Sequence, residues 1–444
     1  MKFETDQQTL KDLNILGKFK NGSIFNMFGA TVTRGGEQIM EKMFVNPLTD
    51  VDAINKRSSI FKFFTENDFA FPFSSNEFDE IDQYVSSGGK SLWINFTSDI
   101  YIRAMKDIGH TPEYDILYNR TKLILQFLNR ALTYFKLLKE KVGDNEFKPI
   151  AENGYNLCSS KNFIEVLKYK DSKDLSFLIL LKIDTLLRCQ SISILKELVD
   201  LLCIVDVNTT VGAVARENDF CYAKAEKDSD MIFDAHDLWH PTVKGAIAND
   251  IRISKKSNLF FLTGANMAGK STLMKAFGLG VYMAHMGFPI AAKSLKFILR
   301  DGVYTSINLP DDIDKGYSHF YAEVLRVKHF AIEVSKSKKL IVILDELFKG
   351  TNVKDAFDAT YAVTRALIDR KECAYMISTH ITEVGDKLRE ECKNIDFQYL
   401  PTVMKGSIPT YTYKLREGIT ADKHGMLIIN NEKIIDIING KINV

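Results

Sequence analysis

The chain has 444 residues, 45% of them apolar and 26% charged, with a formal net charge of +1. Those values describe an ordinary globular protein with two or three domains and ample core, and they exclude a disordered or low-complexity chain. With charge so nearly balanced there is no overall basic footprint, so any hold on nucleic acid has to come from a local patch.

The opening stretch, MKFETDQQTLKDLNIL, mixes acidic with apolar residues and lacks a signal-peptide core. No run approaches the ~20 apolar residues that span a bilayer. Cys158, Cys189, Cys203, Cys221, Cys373 and Cys392 are scattered, without zinc-site spacing or a disulfide framework. The expectation is a cytoplasmic protein with reduced thiols and no membrane partner.

From Tyr114 to Leu138 the residues Ile124, Phe127, Leu128, Ala131, Leu132, Phe135 and Leu138 recur at three- and four-residue spacing, which predicts a helix with one apolar face. A second periodic run takes in Leu186, Leu187, Ile194, Leu195, Leu198, Leu201 and Leu202 and extends to about Ala215. Polar, turn-rich segments lie between, at Lys141–Asn153 and Lys170–Asp174. Residues 1 to about 215 therefore read as mainly helical.

After about Asn218 the pattern changes. Short buried strands, Leu259–Leu262, Leu340–Leu344 and Ala374–Ser378, alternate with helix-length runs, and strand-like segments also occur at Gly302–Ile307 and Thr410–Leu415. That alternation implies a mostly parallel sheet covered by helices, with ligands received at the carboxyl ends of its strands.

At one such end stands TGANMAGKST, Thr263 to Thr272, in which Gly264-x-x-x-x-Gly269-Lys270-Ser271 fits the phosphate-loop pattern. Glycines let backbone N–H groups turn inward to phosphate oxygens, the following helix (Leu273 to Met286) adds its positive end, and Lys270 adds a point charge. Ser271 is placed to ligate Mg²⁺. Asp345-Glu346 close the strand Leu340–Leu344. Asp345 would hold Mg²⁺, while Glu346 would orient or deprotonate the attacking water. Ser378-Thr379-His380 follow a third strand, where His380 would donate a hydrogen bond to the γ-phosphate or the water. In GYSHFYAEV (Gly316 to Val324), Ser318 by itself reads as an ordinary helix N-cap.

These elements, in this order, resemble the MutS family of DNA mismatch repair ATPases. The family's loop reads close to TGPNMGGKST, against TGANMAGKST here with Asn266 and Met267 retained, Ala268 in a glycine's place and Gly269 to Thr272 unchanged. Its second element resembles Asp345-Glu346-Leu347-Phe348-Lys349-Gly350-Thr351-Asn352 with Asp355, and its switch resembles Thr379-His380. HPTV (His240 to Val243) and IANDI (Ile247 to Ile251) look like its sheet-edge segments. Thr31, Thr33, Gly35, Pro47 and Leu48 fall where the family's helical core and lever begin. The similarity covers about residues 5–65 and 236–425.

The resemblance implies an α/β plus all-α chain: a helical core/lever domain over residues 1–217, then an ABC-type P-loop ATPase domain over 218–444 with ATP and Mg²⁺ as cofactors. It also implies a homodimer in which Ser318 acts in trans on the partner's γ-phosphate. Departures accompany it. The mismatch-reading and connector domains have no counterpart, and the lever has room for a reduced hairpin at most, within residues 95–175. Tyr317 and Lys349 replace arginines, and Ala246 stands where an aromatic often stacks on adenine. After DKHGMLIINNEKIIDII the dimer-completing helices look cut short. Two functions follow: a DNA-associated ATPase without nuclease activity, or a nucleotide-driven switch acting on a protein partner. Such a partner is a candidate source of the missing domains. Lys136, Lys139, Lys141, Lys161, Lys168 and Lys170 are the candidate DNA contacts; each equally suits a solvated helix face.

Overall fold

The computed structural model describes residues 2–17, 22–86, 112–172, 174–307, 319–405, 408–420 and 434–439. Its Cα positions fall into two compact units, one comprising Met1–Met27, Met43–Ser58 and Ala215–Val444, the other Phe28–Lys42 and Ser59–Val214. The helix-rich opening thus contributes two segments to the unit that holds the sheet.

The second unit is helical. Its longest helix, Pro112–Lys141, buries Ile124, Phe127, Leu128, Ala131, Phe135 and Leu138, the face that the periodicity predicts. Ser74 and Glu77 form a reciprocal cap at the start of the helix Ser75–Ser86. Glu77 also pairs with Arg130 at 2.7 Å, and that guanidinium, with the Ser74 bonds, pulls its carboxyl down to about 2.

Two expectations fail in this unit. Lys141–Asn153 is not turn-rich throughout, because a helix runs from Lys148 to Cys158 with Pro149 in its first turn, where the missing N–H costs nothing. The second concerns membrane-spanning length. Ile192–Glu217 is long and apolar enough to cross a bilayer by length and composition. It is nonetheless a core helix here, two-thirds buried, with Leu195, Leu198, Leu202 and Val205 in the hydrophobic cluster. It carries the buried Asp206, whose carboxylate accepts hydrogen bonds from the Val32 and Thr33 backbone N–H groups and from the Thr33 hydroxyl. Before it, a π-helical turn at Leu186–Gln190 sets Arg188 against Asp184 at 2.9 Å, both buried.

The first unit holds the strands β1 (Cys221–Tyr222), β2 (Lys224–Glu226), β3 (Met231–Leu238), β4 (Asn249–Ser254), β5 (Leu259–Gly264), β6 (Pro289–Ile290) and β7 (Ser294–Ile298). They continue with β8 (Gly302–Ser306), β9 (Leu340–Leu344), β10 (Ala374–Ser378), β11 (Ile395–Leu400), β12 (Thr402–Lys405), β13 (Ile408–Tyr411) and β14 (Arg416–Glu417). The main sheet has the order β14-β11-β5-β10-β9-β8. All of its neighbours pair in parallel except β14, so the expected mostly parallel sheet is present. β5, β9 and β10 are buried along their whole length, which is why they read as unbroken apolar runs.

A second sheet, β2-β7-β3-β4, was hidden in the sequence because its strands are short or mix polar with apolar residues. The predicted strand Thr410–Leu415 is displaced. Strand β13 ends at Tyr411 after pairing with β12, and Tyr413 takes a left-handed φ of 54°.

Candidate functional site

Strand β5 delivers the glycine loop. Gly264 (φ 148°), Met267 (φ 68°) and Gly269 (φ 97°) turn the chain so that the helix Lys270–Met286 starts at once. A Cβ at Gly264 would lie 3.0 Å from the Leu400 carbonyl oxygen, and one at Gly269 would lie 3.0 Å from Tyr413 Cδ1. Both positions therefore need glycine for conformation and for space.

The Lys270 ammonium is folded back on the loop, donating to the Gly264 carbonyl at 2.9 Å and the Ala265 carbonyl at 3.1 Å. Burial lowers its pKa, while Glu346 and Asp345 act in the opposite sense.

Three strand ends converge beside this loop. Ser271 Oγ donates to Asp345 Oδ2 at 2.5 Å, and Ser378 Oγ donates to the other Asp345 oxygen. The Asp345 backbone N–H donates to the Ser306 carbonyl at 2.9 Å. Glu346 adopts a left-handed φ of 52°, its N–H donates to the Ser378 carbonyl at 3.1 Å, and its Oε1 lies 2.5 Å from His380 Nε2. The hydrogen bond to His380 is the main cause holding the Glu346 carboxyl below the usual range, against burial.

Lys270, Ser271, Asp345, Glu346 and His380 are thus brought together, with Ser378 as an added link. Asn266, Met267, Ala268, Gly269 and Thr272 line the adjoining cavity. Ser318 lies outside the described residues.

That cavity, of about 790 Å³, is also lined by Trp239, His240, Ala246, Asn249 and Tyr413. Its size suits a drug-sized ligand. Burial, reinforced by Lys275, drives His240 down to about 4, so its ring is neutral at pH 7. Asn249 acts as a clip. Its amide donates to the Tyr413 carbonyl at 2.9 Å and its oxygen accepts from the Leu415 N–H at 2.8 Å.

Trp239, Asn249 and Tyr413 were missed as site residues. The sequence had Ala246 leaving the cavity without a ring there; Tyr413, more than 160 residues further on, brings one. No local sequence signal marked them: the burial of Asn249, which demands partners for its amide, appears only in the fold.

A Ser271 hydroxyl touching a carboxylate is a hard-oxygen donor pair of the kind Mg²⁺ accepts, with phosphate oxygens supplying further ligands. Among the described residues no group of three or more His, Cys, Asp or Glu is placed to hold a metal by itself. The fit is to a metal that arrives with a phosphate ligand.

Of the lysines considered as DNA contacts, Lys168 pairs with Glu165, Lys139 lies over the Tyr155 ring at 4.4 Å, and Lys170 donates to Asn129 at 3.2 Å.

A mostly parallel sheet whose glycine loop, after β5, meets an acid pair at the end of β9, with β10 between the two strands, places this unit in the α/β class. The comparisons narrow that class. The family model for MutS domain V matches residues 260–439. The DNA mismatch repair protein MutS of Rickettsia prowazekii (strain Madrid E) is 31% identical over 237 residues, covering 51% of this chain and 24% of the relative. That of Fusobacterium nucleatum subsp. nucleatum is 30% identical over 248 residues, covering 54% of this chain and 26% of the relative. That of Rickettsia canadensis (strain McKiel) is 33% identical over 200 residues, covering 43% and 22%. The chain is thus similar to MutS proteins, and residues 260–439 match their domain V. Its match spans about a quarter of the length of these relatives.

Proposed function

We propose that the chain hydrolyses ATP with Mg²⁺ and couples nucleotide state to DNA. The observation that carries the reading is the convergence of Ser271, Asp345, Glu346 and His380 beside Lys270. ATP would lay its phosphates along Asn266 to Thr272 and its base in the cavity beside Tyr413. Lys270 would exchange its two loop carbonyls for phosphate oxygens.

Ser271 and Asp345 would hold Mg²⁺, which supplies charge neutralisation on the phosphates when bound. Glu346, ionised and hydrogen-bonded to His380, is a weak proton acceptor; orienting the attacking water suits it better than deprotonating it. His380, which holds the Glu346 carboxylate, would have to leave it to donate to the γ-phosphate or the water.

Two such chains would share each site, with Ser318 of one meeting the phosphates held by the other. Closure of that homodimer, passed through the helical unit, would alter its grip on DNA. The name these relatives carry, DNA mismatch repair protein, supports the DNA reading over a switch that acts on a protein partner alone.

The test is Glu346→Gln. ATP affinity stays near that of the unsubstituted chain while turnover falls by about 10²–10⁴-fold, the contribution of a positioned carboxylate. Unchanged turnover removes Glu346 from the chemistry.

A further inference from the structure

Strand β8 forms one edge of the main sheet, yet the N–H groups along that edge are bonded to residues 4–12. The Val303 N–H donates to the Glu4 carbonyl at 3.0 Å, the Thr305 N–H to Thr9 Oγ1 at 2.9 Å, and the Ile307 N–H to Asp12 Oδ2 at 3.0 Å. These are alternate residues, so their N–H groups point to the same side of the strand. Below them the Glu4 N–H donates to the Asp301 carbonyl at 2.8 Å, and Glu4 bridges Gly302 in parallel. A Cβ at Gly302 would sit 2.3 Å from the Glu4 carbonyl oxygen, so glycine is what admits this approach.

Only Glu4 contributes backbone to this lane. Further up, the short helix Gln7–Asp12 replaces a neighbouring strand with two side chains, Thr9 and Asp12, both buried.

Asp12 Oδ2 takes two hydrogen bonds, from the Ile307 N–H and from Thr305 Oγ1 at 2.7 Å. They flank Ser306, whose carbonyl faces the opposite way and accepts the Asp345 N–H. Gln8 Nε2 holds the other Asp12 oxygen at 2.9 Å. On the same edge, Arg326 donates to the Thr305 carbonyl and to Asp6.

We infer that Asp12 is a positioning residue for the metal-holding carboxylate Asp345, acting through the β8 rung at Ser306. The path is short: Asp12 fixes residues 305 and 307, the peptide between them fixes the Asp345 backbone, and the Asp345 side chain meets Ser271 and Ser378. Loss of the Asp12 carboxylate frees the last rung of an edge strand. Asp345 then loses its aim, while the glycine loop, built on the interior strand β5, keeps its own.

This inference rests on the ATPase reading above. The experiment is Mn²⁺ binding followed by electron paramagnetic resonance, with a non-hydrolysable ATP analogue, on the full chain and on Asp12→Ala. Residues that orient a metal ligand typically contribute about 10–100-fold in affinity. Asp12→Ala is expected to weaken Mn²⁺ by about 10-fold, the lower end of that range, with metal-free analogue affinity unchanged. Asp12→Asn, which keeps an acceptor oxygen, restores most of the loss; a merely structural role would show as a lower melting temperature with Mn²⁺ affinity intact.

Unaltered Mn²⁺ affinity in folded Asp12→Ala overturns the inference while leaving the ATPase reading standing. No Mn²⁺–analogue complex with the unsubstituted chain overturns both. Should Asp12→Ala not fold, Thr305→Val deletes one of the two bonds at nearly constant shape and is read by the same titration: weakened Mn²⁺ supports the inference, and unaltered Mn²⁺ overturns it.

Discussion

Glu346 combines a left-handed backbone, a hydrogen-bonded histidine and a carboxyl held below its ordinary value of 4.5. A non-glycine residue with positive φ costs of order 1–3 kcal/mol and persists only where neighbours enforce it; here the Ser378 carbonyl and His380 do so. The sign of the pH effect follows. Because His380 favours the ionised form, Glu346 protonates only below 4.5, and hydrolysis falls as pH drops through that lowered value. His380→Ala removes the main lowering cause and leaves burial, which raises the pKa, opposed only by the smaller pull of Lys270 and Lys349. The acid limb of the pH–rate profile therefore moves to higher pH in that variant. An unmoved limb would assign it to some other group. At this scale the sequence was most legible where partners are few residues apart or end consecutive core strands, as for Lys270, Ser271, Asp345 and His380. It was silent on Tyr413 and Asn249, whose meeting spans more than 160 residues and leaves no local periodicity.

Gly154 shows the same limit for an element. Pro149, within the segment expected to be turn-rich, and Gly154, just after it, both sit inside the helix Lys148–Cys158. The proline occupies the first turn, and the glycine lets the buried Phe135 ring approach, since a Cβ there would stand 2.1 Å from Phe135 Cε1. Alanine is favoured over glycine in a helix by about 1 kcal/mol. Gly154→Ala nonetheless destabilises, by about 1–3 kcal/mol, because overpacking a closed core forces shifts. A denaturant midpoint equal to or above that of the unsubstituted chain would contradict this packing. The buried strands of the main sheet announced themselves as apolar runs. The second sheet did not, because its strands are short or expose polar residues, and such segments share their composition with loops.

For the whole molecule, the proposed sharing of sites has a mixing test. Ser318→Ala combined with Lys270→Ala gives mixed dimers that keep one undamaged site if sites are composite, and ATPase activity reappears on mixing. If each subunit works alone, mixing restores nothing. DNA coupling is read as a change in ATP turnover with linear, mismatched, branched or single-stranded DNA at low salt, since phosphate contacts weaken steeply as salt rises. Stimulation by one of these that disappears at high salt supports the DNA reading; turnover indifferent to all of them supports a protein partner. The long helix Pro112–Lys141 and the buried strands β5, β9 and β10 were legible from periodicity and apolar runs. The return of Met1–Met27 and Met43–Ser58 to the sheet-bearing unit was not, because nothing in a short polar helix announces a partner nearly three hundred residues away.

That separation has a kinetic side. Asp12 and Thr305 lie 293 positions apart, so at ~5–20 residues per second a ribosome makes the former roughly 15–60 s before the latter. The early segment has no other strand of the main sheet to join until β5 and β8 have emerged. Contacts of such span carry the largest loop-closure cost and form late. The last rung of the sheet's edge, and with it the backbone seat of Asp345, would then be among the final features to set, so that competence to hold metal arrives after the bulk of the fold.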